Sequence, residues 1–190
     1  MRVAVGITGA SGLPLAFKLI EVLKDRVELE VAVSRGAVEV AKREPCKLNS
    51  GPCDLIAELR EMGVEPQISM SSKLASSSNV PDATVIIPCS MKTLALIANG
   101  IAEGLVARLA LNTLRSGRDL VLVPRETPVG SLELENMLKA SRAGAKVVLP
   151  VLAFYTFPKT LEDVVNFIVG KILDVLKIEH DLYPRYGQAP

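Results

Sequence analysis

Several features that define common protein classes are scarce or missing in this chain. Its 190 residues include no tryptophan and one histidine. Every apolar stretch is interrupted well before the roughly 18 residues that a membrane span needs. The first apolar segment, residues 1–7, is too short for a signal peptide. We therefore expect a protein that does not enter or cross a membrane and that stays in the cytoplasm.

An excess of charge of one sign is also missing. Lys and Arg number 22 against 21 Asp and Glu, which gives a formal net charge of +1, and the basic residues form no stripe. Nucleic-acid binding depends on a concentrated positive surface. The composition therefore argues against a nucleic-acid partner.

Cysteine and histidine are too few for common metal sites. Cys46, Cys53 and Cys89 are an odd number in no metal-binding pattern. This favours reduced thiols and no bound metal, although a bridge between Cys46 and Cys53 stays an open alternative. The single histidine, His180, stands in a charged stretch near the C-terminus, where we expect an exposed side chain without a role.

The chain does contain a regular alternation of two patterns. Short runs rich in β-branched residues alternate with longer segments of helical periodicity, which is typical of βαβ units in an α/β fold. With 49% hydrophobic residues, the chain is long enough for one domain, 1–190, with a full core. The predicted strands cover residues 2–6, 29–34, 84–87, 120–123 and 146–149. The predicted helices cover residues 13–24, 37–42, 54–62, 93–98, 102–115, 132–142 and 161–176.

Two glycine- or serine-containing loops that follow predicted strands suit an anionic ligand. In Gly6-Ile-Thr-Gly-Ala-Ser-Gly12, glycines let a ligand approach the backbone, Thr8 and Ser11 add hydroxyls, and the next helix begins with its positive end. A plain tight turn is the alternative. Pro88-Cys-Ser-Met-Lys-Thr93 repeats the arrangement, and its serine and threonine either hold a phosphate or only cap a helix.

A third loop adds charged groups. The apolar run of residues 120–123 is closed by Pro124, and Arg125, Glu126 and Thr127 follow directly. In open α/β sheets, ligands bind just beyond the carboxyl ends of the strands. Arg125 presents a planar fork that suits phosphate, and Glu126 is a candidate for proton transfer. A solvated loop with an ordinary ion pair is the alternative.

Two further segments have the composition of pocket walls. Residues 69–79 contain six serines with little periodicity, which predicts an exposed loop that faces a ligand. Ala153-Phe-Tyr-Thr-Phe157 holds three of the seven aromatic residues of the chain. Such clustering is typical of a pocket wall or of a core aromatic cluster.

An NADP-dependent reductase of the short-chain type is a competing interpretation. The second strand ends in Ser34-Arg35, which suits a 2′-phosphate, and Tyr155 and Lys159 have the Tyr-x-x-x-Lys spacing of such enzymes. Those two side chains must share one face of a helix. Pro158 lies between them and would destabilise that helix by about 3 kcal/mol. We rank this interpretation second.

Taken together, the segments resemble the UbiX-type flavin prenyltransferases, once described as aromatic-acid carboxy-lyases, over nearly the whole chain. The order and spacing of the motifs carry the resemblance more than any single motif does. The motifs are Gly6-Ile-Thr-Gly-Ala-Ser-Gly12, Ser71-Ser-Lys-Leu-Ala-Ser76, Pro88-Cys-Ser-Met-Lys-Thr93, Ala98-Asn-Gly100, Val121-Leu-Val-Pro-Arg-Glu-Thr-Pro128, Glu135-Asn-Met137 and Ala153-Phe-Tyr155.

The resemblance implies a flavodoxin-like Rossmann domain, a three-layer sandwich with a mostly parallel sheet, which binds FMN without a metal. It also implies a homododecamer in which neighbouring subunits complete each site. The implied reaction transfers a dimethylallyl group from dimethylallyl phosphate to reduced FMN, first at N5 and then at C6. The product, prenylated FMN, serves a partner decarboxylase.

The motifs also imply roles for particular residues. Tyr155 and Lys171 would bind the dimethylallyl phosphate, and Glu126 would be the acid beside the departing phosphate. Arg115 stands where a lysine usually contacts that phosphate. Ser11 is the fifth catalytic candidate, beside Tyr155, Lys171, Glu126 and Arg115. Without the resemblance, Lys171 would be interpreted as a solvated charge. The residues implied to hold FMN are Gly9, Ala10, Ser11, Ser34, Ser90, Met91, Lys92, Thr93 and Arg125.

The chain departs from the family pattern at four positions. Ser77 stands at a usual glycine, Arg115 at a lysine, Glu133 at a frequent histidine, and Tyr186 near a tryptophan. Arginine does not replace lysine neutrally at a phosphate, because the fork and the point charge bind differently. Ser77 puts the backbone geometry of the serine loop in question.

Two other hypotheses share the flavin. FMN-dependent decarboxylases of peptidyl or pantothenoyl cysteine rely on an early catalytic histidine, and this chain has none before His180. A flavin carrier without chemistry of its own would tolerate replacement of Glu126, Tyr155 and Lys171. The missing histidine disfavours the decarboxylases, and replacement of the three side chains distinguishes the carrier from the leading hypothesis.

Overall fold

A computed structural model of the chain describes residues 1–187, so the last three residues of the predicted domain lie outside the described part. None of the helices within residues 1–187 has both the length and the apolar character that crossing a bilayer requires. The strands are β1 (Arg2–Ile7), β2 (Glu28–Val33), β3 (Ala83–Cys89), β4 (Asp119–Pro124) and β5 (Lys146–Val147). The helices are α1 (Leu13–Leu23), α2 (Arg35–Ala41), α3 (Leu55–Glu61), α4 (Met91–Ala98), α5 (Gly104–Arg115), α6 (Ser131–Arg142) and α7 (Leu161–Leu176). Two 3₁₀ turns cover Lys73–Ala75 and Phe154–Thr156.

The strands form a single parallel sheet in the order β2-β1-β3-β4-β5. This order is that of flavodoxin-like folds, so the predicted fold class is confirmed. Because every strand is parallel, the carboxyl ends of β1 to β4 meet at one edge. The turns that the sequence singled out therefore lie side by side.

Helices cover both faces of the sheet and make three layers. Val3 and Val5 of β1 pack into a core with α1 and α7, whereas Ala4 packs on the opposite face with α4 and α5. A strand that helices cover on both faces needs apolar residues at nearly every position. This explains why the sequences of β3 and β4 are almost continuously apolar.

Most element bounds agree with the prediction, and the differences lie at the ends of helices and strands. The helix predicted to begin at residue 37 begins at Arg35, because Ser34 already caps it. The helix predicted from residue 102 begins at Gly104, and the strand predicted to residue 149 ends at Val147. α7 has the predicted bounds, and the capping box of Thr160 and Asp163 fixes its start.

The cysteines do not all stay reduced. Cys46 and Cys53 form a disulfide with Cα atoms 5.9 Å apart. An isolated β-bridge between Pro45 and Pro52 brings the two sides of this loop together. The expectation of reduced thiols is therefore wrong for this pair, and the bridge left open as an alternative is the one found. Cys89 is free and buried, and burial raises the pKa of its thiol to about 12.

The serine loop is largely exposed, as predicted, and its first residues, Ser69 and Met70, line the cavity described below, but its centre is buried. Leu74 is buried in the core beneath α5, and Asn112 of α5 donates a hydrogen bond to the Ala75 carbonyl at 3.1 Å. The loop is thus anchored at its centre. Ser77 does not adopt a positive φ, so serine at this family glycine position strains no backbone.

Candidate functional site

A cavity of about 1120 Å³ opens at the carboxyl edge of the sheet. It lies among the turns that follow β1, β2, β3 and β4, with the start of α5 as a further wall. Its size exceeds that of typical small-molecule pockets. The predicted site residues that line it are Gly9, Ala10, Ser11, Ser34, Ser90, Met91, Lys92, Thr93, Arg125 and Glu126.

The turn after β1 leaves the positive end of α1 open to the cavity. Gly12 precedes the helix with φ 114°, no side chain caps this end, and the first turn contains no acidic residue. Amides and helix dipole together favour an anion there. Gly9 is required for a second reason, since a Cβ at this position would lie 2.9 Å from the carbonyl carbon of Gly36. The turns after β1 and β2 are therefore in backbone contact.

Thr8 has a structural task instead of the ligand contact that the sequence suggested. Its side chain is 1% exposed. The hydroxyl donates to the Pro88 carbonyl at 2.6 Å and accepts from the Ser90 amide at 2.8 Å. Thr8 therefore joins the turns after β1 and β3. The prediction that it adds a hydroxyl for a ligand is wrong, because both hydrogen-bonding directions are already used.

Ser34 and Ser90 cap helices and also line the cavity. The Ser34 hydroxyl accepts from the Ala37 amide at 3.2 Å. The Ser90 hydroxyl accepts from the Thr93 amide at 3.3 Å and donates to the Thr93 hydroxyl at 3.0 Å. The capping alternative thus holds, and it places both hydroxyls at helix ends that face the cavity.

Charged side chains stand around the mouth of the cavity. The Lys92 ammonium lies 2.8 Å from the Glu103 carboxylate, and both side chains are exposed. Glu126 accepts a hydrogen bond from the Thr127 amide at 2.9 Å, whereas the amide of Arg125 donates to the Cys89 carbonyl. Within residues 1–187, the structure shows no ion pair between Arg125 and Glu126. Both residues line the cavity, and their charges do not neutralise each other through a direct contact.

Three predicted residues do not line this cavity. Arg115 ends α5, whose other end, Gly104, is at the cavity, so the helix separates them by about 16 Å. The ring of Tyr155 packs edge-on against that of Phe167, with the two ring centroids 5.9 Å apart. The Lys171 ammonium lies 3.6 Å from a carboxylate oxygen of Asp174 in α7. Their roles at the site stay predictions.

The geometry required for a short-chain reductase is missing. Tyr155 lies in the 3₁₀ turn Phe154–Thr156, and Phe157 ends that turn in the left-handed region with φ 49°. Lys159 precedes α7 and donates its amide to Asp163. Tyr155 and Lys159 therefore share no helical face, as Pro158 indicated.

His180 is not the exposed residue that its sequence context predicted. Its side chain is 1% exposed, and its Nε2 lies 3.0 Å from the Asp174 carboxylate. The charged residues around it misled the prediction, because Asp174 and Arg185 form contacts with the ring instead of facing only solvent.

Several cavity residues were not found from the sequence. Glu103 adds charge, and Gly104 begins α5 with φ 75°. Arg35 and Met70 also line the cavity, but both lie in segments that the sequence had singled out. A glycine directly at the start of a predicted helix was the available signal, because that position favours left-handed backbone. Among residues 1–187, no three Asp, Glu, His or Cys side chains are grouped as metal ligands.

Comparisons with known proteins give one answer. The model of the flavoprotein family matches residues 1–173. Flavin prenyltransferase UbiX of Methanocaldococcus jannaschii is 43% identical, over 98% of this chain and 99% of its own length. AnUbiX (PadA1), crystallised with FMN and dimethylallyl pyrophosphate, has a TM-score of 0.87 and 34% identity, over 97% of this chain and 96% of its own. A dodecameric FMN-dependent UbiX-like decarboxylase from Escherichia coli O157:H7 has a TM-score of 0.84 and 36% identity, over 98% of this chain and 99% of its own. The chain belongs to the flavoprotein family and, within it, to the UbiX flavin prenyltransferases.

Proposed function

We propose that the protein transfers a dimethylallyl group from dimethylallyl phosphate to N5 and then C6 of reduced FMN and passes the prenylated FMN to a partner decarboxylase. The observation that carries the proposal is one cavity at the sheet edge that gathers the predicted FMN residues and Glu126. The relatives supply the substrates, since AnUbiX was crystallised with FMN and dimethylallyl pyrophosphate.

The cavity has the features that FMN needs. The open start of α1 and the hydroxyls of Ser11 and Ser34 suit a phosphate. Met91, Leu96 and Leu105 line the same cavity and suit a flat ring system. Reduced FMN supplies the electron-rich nitrogen and carbon that accept the prenyl group. A volume of about 1120 Å³ leaves room for a second, smaller ligand.

The charged residues match the demands of the bond that breaks. Cleavage of the allylic C–O bond leaves negative charge on the phosphate and positive charge on the carbon. Cationic side chains must therefore stabilise the phosphate, and an aromatic ring face must stabilise the carbon. In our assignment, Lys171 and Arg115 bind the phosphate, and the ring of Tyr155 stabilises the carbon. Glu126 is the acid that donates a proton to the departing phosphate and afterwards accepts one.

Because Arg115, Tyr155 and Lys171 do not line the cavity of their own chain, we propose that neighbouring copies supply them in a homododecamer like that of the E. coli relative. Exposed apolar side chains flank Tyr155, with Phe154 76% and Phe157 62% exposed. Contiguous apolar surface of this kind marks protein interfaces.

The decisive experiment mixes the purified protein anaerobically with reduced FMN and dimethylallyl phosphate and measures the mass of the released flavin. We expect a gain of one five-carbon unit. A flavin of unchanged mass that stays bound would support the carrier hypothesis instead. Oxidation of NADPH in a parallel assay would support the reductase.

Subunit mixing tests the shared site. Glu126→Gln and Tyr155→Ala homo-oligomers should each be nearly inactive, because the second variant removes the aromatic ring. Dissociation and reassociation of their mixture should restore part of the activity, because some sites combine an intact Glu126 from one chain with an intact Tyr155 from another. If mixed oligomers form without any recovery, Glu126 and Tyr155 of one site come from one chain.

We also propose that the chain works as one domain, 1–190, in the cytoplasm. Both apolar cores lie on the same sheet, which supports a single folding unit. Both substrates are small phosphorylated molecules, which supports the location. Limited proteolysis of the native protein tests the first statement, and cell fractionation tests the second.

A further inference from the structure

Asp174 of α7 gathers hydrogen bonds from the segment that follows the helix, residues 178–187, which we name the C-terminal segment. Its carboxylate accepts from Nε2 of His180 at 3.0 Å, from the hydroxyl of Tyr183, and from Nη1 of Arg185 at 2.8 Å. The three donors lie 6, 9 and 11 residues further along the chain. One carboxylate therefore binds the segment at three of its residues.

The hydrogen bond from His180 does not need a charged ring. The Leu182 amide donates to Nδ1 of His180 at 3.2 Å, so Nδ1 is an acceptor. In a neutral imidazole, the proton must then be on Nε2, which donates it to Asp174. The contact is therefore complete with a neutral histidine.

Gly170 gives the C-terminal segment its close approach to α7. A Cβ at this position would lie 2.5 Å from a ring carbon of Tyr183 and 2.8 Å from Cε1 of His180. Only a residue without a side chain lets both rings lie on the helix surface. This is an observation independent of Asp174, and it concerns the same segment.

The C-terminal segment contacts the two residues to which we assign the dimethylallyl donor. Lys171 follows Gly170, and its ammonium lies 5.8 Å from the centroid of the Tyr183 ring. Phe167 packs edge-on between two tyrosines. The centroid of its ring lies 5.0 Å from that of Tyr183 and 5.9 Å from that of Tyr155. Tyr155 and Lys171 are thus connected through the rings that Asp174 helps to hold.

The charges around Asp174 leave Lys171 available. Arg185 is 2.8 Å from the carboxylate, whereas the Lys171 ammonium is 3.6 Å from it and 46% exposed. Arg185 is therefore the closer counter-ion. The carboxylate orients Lys171 but forms its closer ion pair with Arg185, so the Lys171 ammonium is available to bind a phosphate.

We propose that Asp174 and Tyr183 are positioning residues for the donor: by holding the C-terminal segment on α7, they fix Tyr155 and Lys171 where dimethylallyl phosphate binds. The inference rests on the proposed function for the roles of Tyr155 and Lys171. Loosening this segment should weaken donor binding without weakening FMN binding, since the cavity is built from the turns after β1 to β4.

The kinetic test uses Asp174→Asn and Tyr183→Phe, with Asp181→Asn as a control that removes the same charge from an exposed position in the same segment. We expect Asp174→Asn to raise the KM for dimethylallyl phosphate about tenfold, with kcat within about threefold and an unchanged Kd for FMN. Tyr183→Phe should shift KM in the same direction by less. An unchanged KM in Asp174→Asn, or a parallel loss of FMN affinity, overturns the inference.

Hydrogen exchange gives a readout that does not depend on turnover. In FMN-loaded Asp174→Asn, amide exchange should accelerate in residues 178–187 and also in 153–157, while Asp181→Asn exchanges like the unsubstituted protein. Acceleration confined to 178–187 overturns the inference. If the unsubstituted protein makes no prenylated FMN but both segments respond, the proposed function fails and the positioning stands. If Asp174→Asn does not fold, Tyr183→Phe provides the same comparison.

Discussion

Glu126 is the residue on which the proposed chemistry depends most. It lies at the cavity mouth directly after β4, and its only described hydrogen bond comes from the Thr127 amide. A carboxyl group there is near enough to the cavity to exchange a proton with a bound ligand. Replacing it should change the proposed proton transfer without changing the turns that line the cavity.

We predict that Glu126→Gln binds FMN normally but forms prenylated FMN about 10² to 10⁴ times more slowly, because a positioned general acid contributes a factor of this size. Single-turnover mass spectrometry of the flavin measures the rate, and flavin fluorescence measures binding. Glu61→Gln, at an exposed position at the end of α3 and outside the cavity lining, is the matched control. Full activity of Glu126→Gln would remove the proposed acid.

Gly9 is a residue whose missing side chain matters. We predict that Gly9→Ala lowers the free energy of unfolding by about 1 to 3 kcal/mol, because its Cβ would lie 2.9 Å from the Gly36 backbone, which has to shift. FMN affinity should fall as well. Gly51→Ala, whose Cβ meets nothing within 4 Å, is the control. Equal melting temperatures for the two variants would contradict the close contact of these turns.

At the scale of elements, α7 and the C-terminal segment respond to pH through Asp174. Partial burial by itself would raise the pKa of this carboxyl, but hydrogen bonds from Tyr183, Arg185 and His180 outweigh burial and lower the pKa from 3.8 to about 2. Lys171 is a further positive neighbour. A carboxyl whose pKa falls on folding stabilises the fold above its unfolded pKa, and that contribution is lost as the pH falls through the folded pKa.

We therefore predict that Asp174→Asn is less stable than the unsubstituted protein by at most about 2 kcal/mol near neutral pH, and that the difference disappears between about pH 4 and pH 2. Chemical unfolding followed by circular dichroism at several pH values measures it. A difference that stays constant down to about pH 2 would show that the carboxylate charge is not what holds the segment.

A second element with its own covalent link is the loop closed by Cys46 and Cys53. The Cys53 amide donates to the Ala41 carbonyl at the end of α2, so the loop continues the cavity wall that Val40 and Glu44 form. We predict that reduction, or the double substitution to serine, lowers the free energy of unfolding by about 2 kcal/mol, as loop closure over this spacing implies. Calorimetry with and without a phosphine reductant measures the change. An unaltered melting temperature would contradict a stabilising role.

At the scale of the whole molecule, one chain does not complete the proposed site. Arg115, Tyr155 and Lys171 stand away from the cavity, and the surface near Tyr155 is apolar. Leu152, Phe154 and Phe157 expose most of their side chains in this short stretch. Surfaces of this composition are covered in stable assemblies.

We predict that the unsubstituted protein forms a large oligomer by light scattering and that Phe154→Asp dissociates it, because a charge in an apolar interface has no partner. Prenyl transfer should fall with the oligomer, whereas each subunit keeps its fold. Lys42→Asp, at an exposed position directly after α2, is the control. A fully active Phe154→Asp monomer would show that one chain carries the complete site.

The order of local patterns determined the fold and much of the cavity from sequence. Alternating apolar strands and helices made a parallel sheet, and a parallel sheet brings the ends of its strands to one edge, so the turns with Gly9, Ser34, Ser90 and Arg125 had to meet. These residues need only local geometry and strand order to be placed. That is why the turns with Gly9, Ser90 and Arg125 were predicted from local patterns, whereas the family resemblance supplied their assignment to FMN and that of Ser34.

Only the tertiary structure decided how side chains distant in sequence use one another. Thr8 is a plausible ligand residue until Pro88 and Ser90 are seen to occupy its hydroxyl, and His180 reads as exposed until Asp174 and Gly170 bring it onto α7. Hydrogen-bond partners and burial arise from packing between elements, which local periodicity does not encode. The sequence by itself therefore determined which turns form the cavity, and packing determined which of their polar groups remain free to bind a ligand.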